Sequence, residues 1–573
     1  MRSPRQRMPE RAYIYEVLLG EFLGLPYRVE YEERIGIEIT IAEEAAARYG
    51  GRGQAAGGGW APGGEAVLEL ADVLLRTPER DWLKSRSLPR LPLDRWDPRT
   101  APPGIFLPAG MGNSGGLPVL YGLPYRDADT GGSYAGHDFA GHYTAGDGLE
   151  GRRRSGSAYL ERTPHGLWCG IDLFGSSFFM LTRYEEAAEV SIRDRHDRFP
   201  ASGSAAARDG FLHRPVVNEY AELLWAALQQ LWPGLARKRR RFRLQVSHDV
   251  DVPFLAMGRS RPSLLKEALA ELLFRRSLES AWRKARVAWP RRDRYAADPF
   301  NRFDWLMSLS EAAGVQSSFY FITEDTAPGL DGSYTMDDPA IRALLREIHL
   351  RGHRIGLHPG YQTYLHPERI FRQFALLRRA ADAAGIRQDV WGGRQHYLRW
   401  RAPDTWQHWE DAGLDYDSTL SFADQAGFRC GVCCEYPVFN LRTRRQLHLR
   451  ERPLVVMDQS IIHPDYMALK GDAAFGAIRH YYDQCAAYGG DFTLLWHNSQ
   501  LVRRSDRKLY RDSLDRYKKD REHRQGGPVD AREPGPHETG SSMIHERRED
   551  GDPGGAVLPA ALPIGLAGRR KGR

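Results

Sequence analysis

A chain of 573 residues is longer than one ordinary core accommodates, and its 42% apolar content is that of a soluble globular protein; two domains with tails are therefore expected and disorder throughout is excluded. The formal charge of +7 and a pI near 9.0 raise nucleic acid or an anionic membrane as partners. The excess is local, in RKRRR (237–241), in 274–295 and in the C-terminal tail, and no zinc-finger spacing, RRM signature or repeated aromatic-basic motif accompanies it, so nucleic acid is not expected.

In chain order, a helix is predicted over 11–23, followed by strand-like RVEYEERIGIEITIA (28–42). A flexible Gly-rich loop is expected at 50–64 and a second turn-prone region at 101–156. The apolar run 166–188 and a helix over 216–232, ended by Pro233 and Gly234, complete an N-terminal α+β accessory domain, residues 1–236. From 242 the pattern alternates: strand FRLQVSHD, helix 303–314, strand 315–323, helix 339–352, strand 353–358, helix 367–385, a short strand near Val390, helix 403–413, and strands 414–420 and 491–499. Such β-α repetition predicts a parallel sheet or a barrel over 237–502, and the polar, Gly- and Pro-rich 503–573 reads as a disordered basic tail. The basic amphipathic segment Leu264 to Arg286 reads as one helix packed on the domain, with peripheral membrane contact as the second reading.

No stretch approaches the ~20 apolar residues of a membrane span and the N-terminus lacks a signal peptide's apolar core. Cys169, Cys430, Cys433, Cys434 and Cys485 are too few and too uneven for a disulfide framework. The expected location is cytoplasmic. No second CxxC follows Cys430, Cys433 and Cys434, which are expected to be structural thiols.

In a parallel sheet or barrel the reactive residues belong at the carboxyl ends of strands. Four strand ends here carry such groups: His248, Asp249 and Asp251; His358; Arg394 and His396; and Trp496, His497 and Asn498. On an extended segment Asp249 and Asp251 point the same way, so one can bind a divalent, zinc-like ion while the other takes a proton from water. His497 can protonate a leaving group, and Arg394 can hold the base ionised through a charge-assisted hydrogen bond. The class implied is metal-assisted hydrolysis of an amide or ester.

The succession HDVD (248–251), GHRIGLHPGY (352–361), GGRQHYLRWRAP (392–403), LDYDSTL (414–420) and LLWHNS (494–499) resembles the polysaccharide deacetylase (NodB-homology) family of carbohydrate esterases, most of all its cytoplasmic, DxD-bearing subgroup. The likeness spans about 242–500. It implies a distorted (β/α) barrel and divalent-metal removal of acetyl groups from N-acetylated sugars. It further implies Asp249 as catalytic base, Asp251 and His358 as metal ligands and His497 as acid. Where the family has a second histidine, four residues after His358, this chain has Gln362, a poor zinc ligand. His396 is the preferred substitute, with His366 and His248 as runners-up; His353, at the start of its strand, is expected to be structural. The stretches CGIDLFGSSFFMLTRYEEAA (169–188) and FPASGSAAARDGFLHRPVVNEY (199–220) resemble the accessory region of some deacetylase-like proteins of cell-surface polysaccharide loci. The expected function is a zinc-dependent carbohydrate deacetylase acting on an N-acetylated saccharide or sugar conjugate in surface-polysaccharide biosynthesis. The alternatives are a catalytically inactive carbohydrate-binding or scaffolding protein, separated from it by bound metal, and a hydrolase opening a small cyclic amide.

Overall fold

The computed structural model describes residues 1–42, 66–108, 111, 115–123, 159–274, 276–289, 294–296 and 298–526. The loop expected at 50–64, most of 101–156 and the tail beyond 526 lie outside the described residues. Met1–Glu522 form one compact unit.

The first half supplies strands β1 (Arg2–Pro4), β2 (Glu30–Glu32), β3 (Ile37–Ile39), β4 (Val67–Leu70), β5 (Asp94–Trp96), β6 (Leu117–Val119), β7 (Leu160–Thr163) and β8 (Gly166–Cys169). Six of them form a mixed sheet in the order β2-β1-β3-β4-β8-β7, with β5 and β6 paired apart. Helix Val216–Leu231 packs on β4 and β8 of this sheet, and helix Leu173–Leu181 packs on Val216–Leu231. The apolar run at 166–188 thus divides into β8 and two helices, Leu173–Leu181 and Tyr184–Ala188, the first begun where the Asp172 carboxylate accepts from Gly175 N at 2.7 Å as an N-cap.

The second half contributes β9 (Arg243–Val250), β10 (Ser318–Phe321), β11 (Arg354–Leu357), β12 (Gly392–Gly393), β13 (Tyr416–Asp417), β14 (Tyr436–Asn440), β15 (Arg445–Glu451), β16 (Val456–Met457) and β17 (Asp491–Leu495). Their order is β14-β15-β13-β12-β11-β10-β9-β17-β16, all parallel except β14 against β15. The expected parallel sheet is therefore present, but among the described residues no ladder joins β16 to the β14–β15 edge, so a closed barrel is not what these ladders form. From Val246 onward every residue of β9 is buried, as for a central strand with layers on both faces. Crossover helices follow the predicted punctuation: Gly314, at φ 67°, ends helix Phe303–Ala313, and Asp338 caps helix Pro339–Leu350.

Two expectations change. The segment 264–286 is a pair of helices, Arg261–Leu273 and Leu278–Ala288, each with a serine N-cap, Ser260 and Ser277. The tail starts later than 503, because Arg504–Gly526 is helical with Leu509, Tyr510 and Leu514 buried; Tyr510 packs on Trp305 and Trp496. One apolar core runs through both halves, with Tyr13 against Phe439 at 5.0 Å and its hydroxyl donating to Pro437 O at 2.9 Å.

Candidate metal centre

The strand ends of the second sheet bring the sequence candidates to one place. Asp251 follows β9, His358 follows β11, and Arg394 to His396 follow β12. The glycine pair of β12 makes this approach feasible: a Cβ on Gly393 would lie 1.7 Å from Leu357 O, so only glycine lets β12 come so close to β11. Arg394 N then donates to Leu357 O at 3.0 Å, setting Arg394 beside His358.

Asp251, His358 and His396 each offer a ligand atom within 4.8 Å of the others. Asp251 Oδ1 lies 3.1 Å from His358 Nε2 and 3.7 Å from His396 Nε2. The far nitrogens are committed elsewhere: His358 Nδ1 donates to Arg394 O at 2.5 Å, and His396 Nδ1 to Asp331 Oδ1 at 2.6 Å. With Nδ1 committed as donor, each ring turns its Nε2 toward Asp251, the arrangement that outer carboxylates and carbonyls give metal-ligating histidines. Asp251 Oδ1 is shielded from solvent and accepts no hydrogen bond. Two lone pairs and a carboxylate oxygen aimed at one another fit a divalent cation, and two nitrogens with one oxygen suit zinc with a position left for water.

Within the cluster the carboxylates and imidazoles stabilise one another's charge. Burial alone would raise the Asp251 carboxyl, yet His396, His358 and His497 hold it well below the usual range. On His358 burial disfavours a proton, and the Asp249 and Asp251 carboxylates reverse this and raise its pKa. Asp331, despite its burial, is held at about 2 chiefly by the hydrogen bond from His396.

Asp249 sits one step back, its Oδ1 receiving Arg394 Nη1 at 2.7 Å and its Oδ2 lying 3.8 Å from His358 Nε2. Arg394 is fully buried and further anchored by Ser247 Oγ at 3.0 Å and Ser418 O at 2.9 Å, a fork that fixes the carboxylate's orientation. Opposite, His497 Nε2 is 3.6 Å from Asp251 Oδ2, and its Nδ1 donates to Asp458 Oδ1 at 2.8 Å. Burial would strip His497 of its proton, but Asp458, aided by Asp251 and Asp249, pushes its pKa up to about 10, so Nε2 carries a proton to give.

All six residues singled out in the sequence for catalysis or metal binding lie in this cluster. The other candidates lie away from it. His248 is buried with Nδ1 on Trp496 O, packed on Phe319. His366 is exposed beside Glu368 at 3.3 Å. Gln362 is exposed and receives Arg369, and His353 accepts from Ser317 N. Two carboxylates of the cluster escaped the sequence reading: Asp331, in the long segment after β10, and Asp458, directly after the two-residue β16. Only Asp458 obeys the strand-end rule, and β16 is too short to show periodicity.

Residues 1–233 match the model of a family of unknown function, DUF7033. No curated protein matches the chain. Among solved structures it is similar to a chain designated a polysaccharide deacetylase from Mycobacterium smegmatis, at 17% identity over 49% of this chain and 85% of that one, TM-score 0.31. It is similar also to Puue allantoinase, at 15% identity over 50% and 86%, TM-score 0.31. A chain designated a polysaccharide deacetylase from Pseudomonas aeruginosa PAO1 gives 14% identity over 50% and 86%, TM-score 0.30.

Proposed function

We propose that this chain is a metal-dependent hydrolase of the polysaccharide deacetylase type that removes acetyl groups from an N-acetylated sugar in a precursor of a cell-surface polysaccharide. The observation that carries the reading is the convergence of Asp251 Oδ1, His358 Nε2 and His396 Nε2, with both Nδ1 atoms tied to acceptors. A divalent ion held there would supply Lewis acidity and an acidified water. Asp249, oriented by Arg394, takes the proton of the attacking water. His497, its Nδ1 on Asp458, delivers the Nε2 proton to the departing amine as the C–N bond breaks.

Aromatic rings beside the ligands support a sugar as substrate. The Tyr397 ring lies 4.8 Å from His396 and 5.2 Å from Tyr361, both tyrosines half-buried. The first half of the chain reaches the same wall: His196 Nδ1 and Tyr361 Oη are 3.0 Å apart, and Arg198 Nη1 donates to Tyr397 O at 3.0 Å. Residues 1–236 are on this reading an accessory region that shapes the cleft, and the reaction is placed in the cytoplasm.

The test is elemental analysis of protein purified without added metal, beside release of acetate from an N-acetylglucosamine oligomer. We expect one equivalent of zinc or a similar ion, lost in Asp251→Ala, His358→Ala and His396→Ala together with activity. A wild type that takes up no metal on incubation with zinc would sink the hydrolase reading in favour of a carbohydrate-binding or scaffolding protein. Metal uptake without acetate release, but with opening of a cyclic amide, would move the substrate and keep the site.

A further inference from the structure

The helical hairpin between β9 and β10 is built inside out. In Arg261–Leu273 the side chains turned toward the partner helix include Leu264 and Ala268 but also Glu267 and Glu271, which meet Lys284 of Leu278–Ala288 at 3.0 and 3.1 Å. Arg259 joins Glu267 at 3.0 Å. Leu265, Leu269 and Leu272, spaced as one helical stripe, instead face solvent. Phe274 and Leu278, flanking the turn, are 84% and 74% exposed, Trp282 in the second helix 60%, and Trp289, the residue that ends it, 72%. An isolated soluble hairpin would bury these side chains and expose its ion pairs.

The cations around this surface indicate what covers it. Arg261, Lys266, Arg276 and Arg286 are exposed beside the apolar stripe, and Arg286 lies over the Trp282 ring at 5.2 Å. Leucine and phenylalanine bordered by tryptophan and basic residues match the boundary between acyl chains and anionic headgroups.

We propose that the hairpin Arg261–Ala288 docks the protein on an anionic membrane surface, its leucines, Phe274 and tryptophans entering the headgroup boundary and its basic side chains pairing with lipid phosphates. The hairpin springs from the carboxyl end of β9, just beyond Asp251. Its base is secured to the site: Asn498, next to His497, donates to Val252 O and Phe300 O at 3.0 Å, and Asp298 accepts from Leu255 N and Ala256 N at 2.9 Å. Docking therefore attaches the membrane to the segment that leaves the carboxyl end of β9, where Asp251 stands. The inference does not require the hydrolase reading, since it concerns binding alone.

The experiment is flotation of the full chain with vesicles of phosphatidylcholine, with and without phosphatidylglycerol, at low and high salt, with and without added zinc. We expect binding to the phosphatidylglycerol vesicles that weakens with salt. The variant Leu269→Glu/Phe274→Glu/Trp282→Glu should lose at least ~tenfold in partitioning, and Lys266→Glu/Arg276→Glu/Arg286→Glu should lose the preference for anionic lipid. All six positions are exposed, so the melting temperature should hold; if either triple variant melts early, its single substitutions are read instead. Wild type that stays off both vesicles would overturn the proposal. So would variants that bind as wild type does, or self-association abolished by the apolar variant with no vesicle binding.

Discussion

Asp458 contributes to the site without touching the ligand atoms of the metal triad. It receives both His497 Nδ1 and His497 N, each at 2.8 Å, fixing the ring's tautomer and direction at once. Asp458→Asn keeps the volume and removes the charge that keeps Nε2 protonated. It should lower kcat by ~10²–10⁴ with little change in KM and full metal content, checked by steady-state kinetics and elemental analysis together. A second buried carboxylate pair gives a pH effect. Asp417 and Glu451 face each other across β13 and β15, fully buried. Burial raises both, Asp417 to about 7, and the charge of Asp417 raises Glu451 further. Unfolded, Asp417 ionises near 3.8; folded, it keeps its proton to about 7, so it lowers stability increasingly as pH rises across that interval. In Asp417→Asn the oxygen can still accept from Thr419, and the amide occupies the side where Oδ2 has no partner. Urea unfolding should show this variant gaining on wild type as pH is raised from 3.8 toward about 7 and levelling off above it. At this scale the sequence displayed the residues that stand at strand ends, His396 among them. It did not display Asp331 as His396's partner, because 65 residues separate a pairing that exists only in space.

Among the elements, those with enough residues to show a period were legible: helix Pro339–Leu350 buries Ile341, Leu344, Leu345 and Ile348, and β9 alternates until its buried centre. The two-residue strands β12, β13 and β16 have no period to read, yet they carry Arg394, Ser418 and Asp458. Alternation in β14 and β15 is interrupted by the turn LRTRR, and their antiparallel pairing went unread. The hairpin was legible as amphipathic but not as two helices, since no glycine or proline lies between Leu273 and Leu278; Ser277, accepting from Ser280 N at 3.3 Å, starts the second helix. Gly393 tests how an element positions the site. A β-carbon there must displace Leu357 or β12, so Gly393→Ala should cost roughly 2–4 kcal/mol in urea unfolding. It should also weaken zinc binding, because His358 and His396 stand directly beyond the two strands forced apart.

Across the whole molecule the two halves share charge as well as apolar core. Glu186, from the first half, receives Arg183 Nε at 2.8 Å and Arg429 Nη2, from the second, at 2.6 Å, all three buried. Arg183 Nη1 returns a bond to Arg429 O at 2.5 Å. Removing the carboxylate leaves Arg429 without its counterion, and Arg183 with Glu185 alone, in a medium that solvates charge poorly. Glu186→Gln should therefore cost ~3–5 kcal/mol while unfolding stays one cooperative transition, observed alike by tryptophan fluorescence and far-UV circular dichroism. The same reasoning sets what cutting the chain does. Near 236 the strands change sheets, but Tyr13, Phe178 and Phe439 pack as one aromatic cluster with centroids 5.0 to 6.0 Å apart, and Arg429 would lose Glu186 altogether. A chain beginning at residue 237 would present that apolar face and an unpaired buried cation to water. We expect it to be aggregated or to lack a cooperative transition, and to recover one when residues 1–236 are supplied as a separate chain and refolded with it. A monomeric 237–526 that unfolds cooperatively by itself would show that the second sheet holds its core without the first.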